Sequence, residues 1–179
     1  MRGSPIPARM IPSIFTLANL LFGFLALIWV IESNFTLAAA MILLSVLMDS
    51  LDGKVARRLS VSSDFGKELD SLSDLVSFGV APAILTYQAI LMPHQTEFAK
   101  YLGLGIAVLF ALCGAVRLAR FNMLNITTYF VGVPITFAGG FMALLMFLRT
   151  MVPWYIYPVS MVILAFLMVS TFKVPKLSK

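Results

Sequence analysis

The sequence predicts an all-α integral membrane protein with six transmembrane helices. Of its 179 residues, 60% are hydrophobic, and the mean hydropathy is +0.97. Only 12% are charged, where soluble domains average roughly 25%. Apolar runs of membrane-spanning length recur six times, at roughly 14–31, 35–59, 66–92, 98–121, 133–151 and 154–172. At this length a single domain, 1–179, is expected.

Each run has its own signature. The first is entered through "IPSIFTLANLLFG", in which Thr16 and Asn19 stand three apart near one membrane face. It has no convincing small-residue cleavage site, so it reads as a retained helix rather than a signal peptide. The Pro5–Pro7 tail ahead of it is expected to be too short and Pro-rich for a stable helix. In the second run only fourteen residues, Phe35 to Met48, precede the first charge at Asp49. They span about 21 Å of a hydrocarbon core about 30 Å thick, so the helix must continue through Asp49 and Asp52. The third run mirrors this: Leu75 to Met92 covers about 27 Å, which sets Asp70 and Asp74 at the same depth. The fourth contains Gly103-Leu104-Gly105, a helix-packing feature, since no strand precedes it as a nucleotide fold would need. It ends in "RLARFNMLN", Arg117 to Asn125. The fifth follows "FVGVPIT" and carries Gly139-Gly140 for close packing. The sixth is flanked by Pro153 and entered by Pro158, with Trp154, Tyr155 and Tyr157 expected as an interfacial aromatic belt.

Charge sets the orientation. With both termini on one side, eleven of the thirteen Lys and Arg residues share that side, and only Lys100 and Arg149 oppose them. The positive-inside rule makes it the cytoplasmic face of a multi-pass cell-membrane protein. This topology also accounts for the net charge of +5 without a nucleic-acid partner. The lone Cys113 offers neither disulfide nor metal pattern and reads as a packing residue. His94 falls in an outer loop without metal partners.

Six of the eight acidic residues crowd between positions 49 and 74, at that cytoplasmic face. Asp49, Asp52, Gly53, Ala56 and Arg57 follow i, i+3, i+4, i+7, i+8 and share one helical face. Gly66, Asp70 and Asp74 follow i, i+4, i+8 on the next helix. Each carboxylate within a membrane helix costs about 2.5–3.5 kcal/mol, and like charges raise that cost. Cations must compensate. Oxygen-only ligands from two helices suit hard divalent ions, Mg²⁺, Mn²⁺ or Ca²⁺, and four aspartates suffice for two ions sharing ligands. The glycines let a ligand approach closely, and Arg57 offers a fork that fits phosphate. The competing readings are an ion-paired linker and a carboxylate-lined cation transporter. Helical spacing on both sides argues against the first. The position of the acids at one end of the membrane, with Arg57 among them, argues against the second. Asp64 and Glu68 fall outside both faces and read as ordinary interfacial charges.

The pattern Asp49-x2-Asp52-Gly53-x2-Ala56-Arg57-x8-Gly66-x3-Asp70-x3-Asp74 resembles the full signature of the CDP-alcohol phosphotransferase family. The resemblance extends to the six-helix layout. It implies transfer of a phosphatidyl-type group from a CDP-linked lipid to an alcohol, with release of CMP, by a homodimer. It makes Asp49, Asp52, Asp70 and Asp74 metal ligands, with Asp74 also the general base. It places Gly53, Ala56, Arg57 and Gly66 against the CDP group, and Thr16 and Asn19 are candidates for the same ligand. The lipid that the resemblance implies is CDP-diacylglycerol or CDP-archaeol.

"RLARFNMLN" and "FVGVPIT" resemble the corresponding segments of the family's serine-using members. On that resemblance L-serine is the expected acceptor, held by Arg117, Arg120 and Asn122. Arginine meets a carboxylate through two parallel bonds. Glycerol phosphate or inositol phosphate would also call for arginines here, so charge alone leaves those acceptors open.

Overall fold

The computed structural model describes residues 6–59, 64–93, 96–124, 129–170 and 173–175, with His94 outside them. Among the described residues six helices follow in order: α1 Ile6–Ile31, α2 Phe35–Leu59, α3 Asp64–Leu91, α4 Glu97–Leu124, α5 Ile135–Phe147 and α6 Ile156–Val169. The first four are long and apolar enough to cross a membrane, while α5 and α6 have 13 and 14 residues. Both are shorter than the runs from which they were expected. Between them the chain closes tight turns, with Arg149 N–H donating to Met146 O and Met151 N–H to Leu148 O.

The helix α1 begins at Ile6, earlier than expected. Pro7 then lies in its first turn, where a missing N–H costs nothing because that group has no helical acceptor. A tight turn with Ser33 at φ 59° leads into α2, where Asn34 accepts from Leu37 N–H at 3.2 Å. This side-chain cap satisfies one of the open N–H groups of the new helix.

The central helix is α3. Of its most apolar stretch 61% is buried, against 28% in α1, α2 and α4. It is α-helical over Asp64–Asp74 and Ala81–Thr86 but widens to π-helical turns over Leu75–Val80 and Tyr87–Leu91. Pro82, which has no N–H to donate, sits just after the first widened turn. Such widened turns recur at functional sites, and this one begins one residue after Asp74.

Close approaches lock the neighbours onto α3. A Cβ at Gly23 of α1 would lie 2.8 Å from Ser77 Cα, and one at Gly139 of α5 would lie 2.6 Å from Phe78 Cα and O. Gly103 meets Leu91, whereas Gly105 faces nothing within 4 Å. The backbone carbonyl of Asn19 accepts from Ser45 Oγ at 3.1 Å and Ser77 Oγ at 3.0 Å, tying α1, α2 and α3 at one level. Around this knot lies an apolar core that includes Ile42, Phe78, Phe110, Met142 and Met161. Cys113 packs against it.

Two features depart from the sequence expectation. Tyr157 is fully buried and donates its hydroxyl to Leu145 O at 2.9 Å. It is a core residue joining α6 to α5, and only Trp154 and Tyr155 remain exposed. A short antiparallel pair, β1 (Tyr129–Val131) with β2 (Lys173–Pro175), joins the connector before α5 to the segment after α6. Gly132 follows β1 at φ 73°, with Met168 O and Leu167 O 2.6 and 2.8 Å from where a Cβ would stand. Only glycine fits that turn without strain. Val133 N–H then donates to Leu167 O at 3.1 Å, which fixes where α5 begins.

Candidate active site

The last turns of α2 and the first turns of α3 bring the acidic residues together. One oxygen each from Asp49, Asp70 and Asp74 lies within 4.8 Å of the others. At that spacing, with an effective dielectric constant of about 20, each pair of charges repels by roughly 3–4 kcal/mol. Among the described residues the only salt bridges are Lys67–Asp64 at 3.5 Å and Lys100–Glu97 at 2.9 Å. No basic side chain in that set neutralises the three carboxylates directly. Three hard oxygen donors converging from two helices match the ligand chemistry of Mg²⁺, Mn²⁺ or Ca²⁺.

Neutral donors on other helices hold the acids in place. Asn19 Nδ2 on α1 donates to Asp74 Oδ1 at 3.1 Å, and both residues are buried. Thr16, one turn earlier, donates its hydroxyl to Asp52. Thr136, in the first turn of α5, donates to Asp49 Oδ2 at 3.4 Å. Thr16 and Asn19, expected near the nucleotide, thus contact the carboxylates. Asp52 is buried against Thr16 and stands outside the close group of three. Gly53 lies on α2 and Gly66 in the first turns of α3, both partly exposed. Ala56 and Arg57 continue the backbone of α2, and their side chains lie outside the described residues.

Beside the cluster a cavity of about 560 Å³ opens between α3, α4 and α5, a volume suited to a small ligand. Asp70, Asp74, Arg117, Asn122 and Thr136 line it, together with Asp64, Lys67, Glu68 and Ser71. Arg117 stacks its guanidinium over Phe121 at 5.8 Å, and its Nε is buried without a hydrogen-bond partner among the described residues. Asn122 Nδ2 donates to Ser71 Oγ at 3.1 Å and to Glu68 Oε1 at 3.4 Å.

Arg120 lies elsewhere. Its Nη1 donates to Val169 O at 2.8 Å, capping the end of α6, and it does not line the cavity. Three residues of α4 after Arg117, it serves a different contact from its neighbour.

Sequence reasoning missed Thr136, Ser71 and Glu68. Thr136 ends the quoted stretch "FVGVPIT" without having been singled out. Glu68 and Ser71 stand three apart on α3, as do Ser71 and Asp74, so each is a neighbour of the next along the helix. Asp64 and Glu68, expected as ordinary interfacial charges, are both exposed, and both also line the cavity.

Residues 9–172 match the sequence model of a family described as CDP-alcohol phosphatidyltransferase. The chain belongs to this family. CDP-alcohol phosphatidyltransferases are integral membrane proteins, and the several apolar helices here make this chain a multi-pass member. The family is generally dependent on divalent cations, in keeping with the donor set of Asp49, Asp70 and Asp74. Among relatives, a CDP-diacylglycerol–serine O-phosphatidyltransferase of Methanocaldococcus jannaschii is 42% identical over 161 residues, covering 90% of this chain and 71% of its own. One of Bacillus subtilis bearing the same name is 35% identical, covering 94% and 92%. An archaetidylserine synthase of Methanothermobacter thermautotrophicus is 41% identical over 133 residues, covering 72% of this chain and 54% of its own.

Proposed function

We propose that this protein transfers a phosphatidyl or archaetidyl group from a CDP-activated lipid to the hydroxyl of L-serine and releases CMP. The carrying observation is the convergence of Asp49, Asp70 and Asp74 beside a cavity that also holds Arg117. The names of the relatives above support serine as acceptor and leave both lipid chemistries open.

Residues Asp49, Asp70 and Asp74 would hold divalent ions, Mg²⁺ or Mn²⁺ first and Ca²⁺ as a further candidate, with Asp52 completing a two-ion set. Ions held there would supply positive charge against the diphosphate and against the charge that develops on departing CMP. The remaining work falls to the chain. Asn19, Thr16 and Thr136 orient the carboxylates. Gly53, Ala56, Arg57 and Gly66 are assigned to the CDP moiety. Arg117 receives the serine carboxylate through its planar fork. Asp74 takes the proton of the serine hydroxyl as its oxygen bonds to the lipid-side phosphorus. The bond from that phosphorus to the bridging oxygen breaks, and its electron pair leaves with CMP. Holding both reactants in one cavity supplies much of the acceleration by making the encounter intramolecular.

In this reading residues 1–179 act as one domain, the site faces the cytoplasm with both termini, and the protein works as a homodimer. The lipid tails remain between helices in the bilayer. Purified protein given CDP-diacylglycerol or CDP-archaeol, Mg²⁺ or Mn²⁺ and labelled serine should release CMP and carry the label into lipid. Turnover with glycerol phosphate or inositol phosphate, but none with serine, would overturn the acceptor assignment.

A further inference from the structure

The charges that line the cavity can be matched one against another. Asp70 and Asp74 belong to the metal cluster. Lys67 pairs with Asp64 at 3.5 Å. Among the described lining residues one cation and one anion remain, Arg117 and Glu68. A cavity left with one charge of each sign complements a zwitterion.

We infer that Glu68 is a specificity-determining residue that receives the ammonium group of an amino-acid acceptor while Arg117 receives its carboxylate. This deepens the serine reading above and rests on it. Asn122 steadies the acid: its amide donates to Glu68 Oε1 at 3.4 Å and also engages Ser71, one helical turn further along α3. Both acids line the cavity, and in this placement the acceptor turns its hydroxyl toward Asp74 and its ammonium toward Glu68. The same acid repels an alcohol phosphate, which carries negative charge and no ammonium, so it excludes the competing acceptors as well as attracting the right one.

The test is Glu68→Gln, which keeps size and removes charge at an exposed position. CMP release is measured with the full-length protein, CDP-diacylglycerol and Mg²⁺, with acceptors serine and 3-hydroxypropionate, the analogue lacking the ammonium. The expected result is a rise of tenfold or more in KM for serine, an unchanged KM for the CDP-lipid, and loss of most of the preference for serine over 3-hydroxypropionate. Glu68→Asp should restore part of that preference. An unchanged serine KM and an unchanged preference in Glu68→Gln would overturn the inference while leaving the parent reading intact. Absence of serine turnover by the unaltered protein, with CMP release on glycerol phosphate, would overturn both.

Discussion

Replacing Asn19 by leucine removes one side-chain hydrogen bond from the site while keeping the same branched skeleton of four heavy side-chain atoms. The lost bond runs from Nδ2 to Asp74 Oδ1 at 3.1 Å, between fully buried Asn19 and an Asp74 that is 7% exposed. A hydrogen bond to a charged group contributes about 1.5–3 kcal/mol. Expressed in the reaction, that corresponds to a loss of about 10- to 150-fold. Stability should respond differently. Asn19 Oδ1 is buried without a partner among the described residues, and leaving such an acceptor unsatisfied costs about 1–3 kcal/mol. Its removal therefore offsets the lost bond. The backbone carbonyl of residue 19, which receives Ser45 and Ser77, is untouched. Asn19→Leu is thus expected to unfold within a few degrees of the parent protein while losing turnover and divalent-ion affinity. The assay titrates Mg²⁺ or Mn²⁺ against CMP release and follows thermal unfolding in the same detergent. Unchanged ion affinity and rate in a folded Asn19→Leu would refute the claim that Asn19 positions Asp74.

Four further outcomes follow from the structure. Gly139→Ala drives a methyl into the backbone of Phe78, 2.6 Å away, and should destabilise by about 1–3 kcal/mol. Gly105→Ala, with nothing within 4 Å, should gain about 0.5–1 kcal/mol from helix propensity; thermal unfolding of the pair reads both signs. Arg120→Ala removes the donor to Val169 O and should lower the unfolding temperature while leaving the serine KM nearly unchanged, as kinetics on the folded fraction would show. Asp74→Asn should abolish CMP release with the fold intact, since an amide cannot accept the hydroxyl proton; normal turnover would remove Asp74 from the role of base.

The α2–α3 hairpin was legible because its information is local. Depth from the apolar edge and spacing along two helices suffice to align Asp49, Asp70 and Asp74. The four long helices were legible from hydropathy for the same reason. What was missed depends on contacts distant in sequence. Thr136 meets Asp49 across 87 positions, and nothing in its own neighbourhood marks it. Tyr157 sits at a helix end rich in aromatics, where an interfacial belt is the natural reading. Packing of α6 against α5 buries it instead. Arg117 and Arg120 share spacing and charge, yet only the position of the end of α6 sends one to the cavity and the other to Val169. The strand pair is three residues long on each side, too short for an alternating pattern to register.

The most direct test of the central claim measures both products at once. Purified protein with CDP-lipid, Mg²⁺ or Mn²⁺ and labelled L-serine should yield CMP and serine-labelled lipid in equal amounts, and a chelator should stop both. CMP released without label in the lipid, or formed only when an alcohol phosphate replaces serine, would contradict the account.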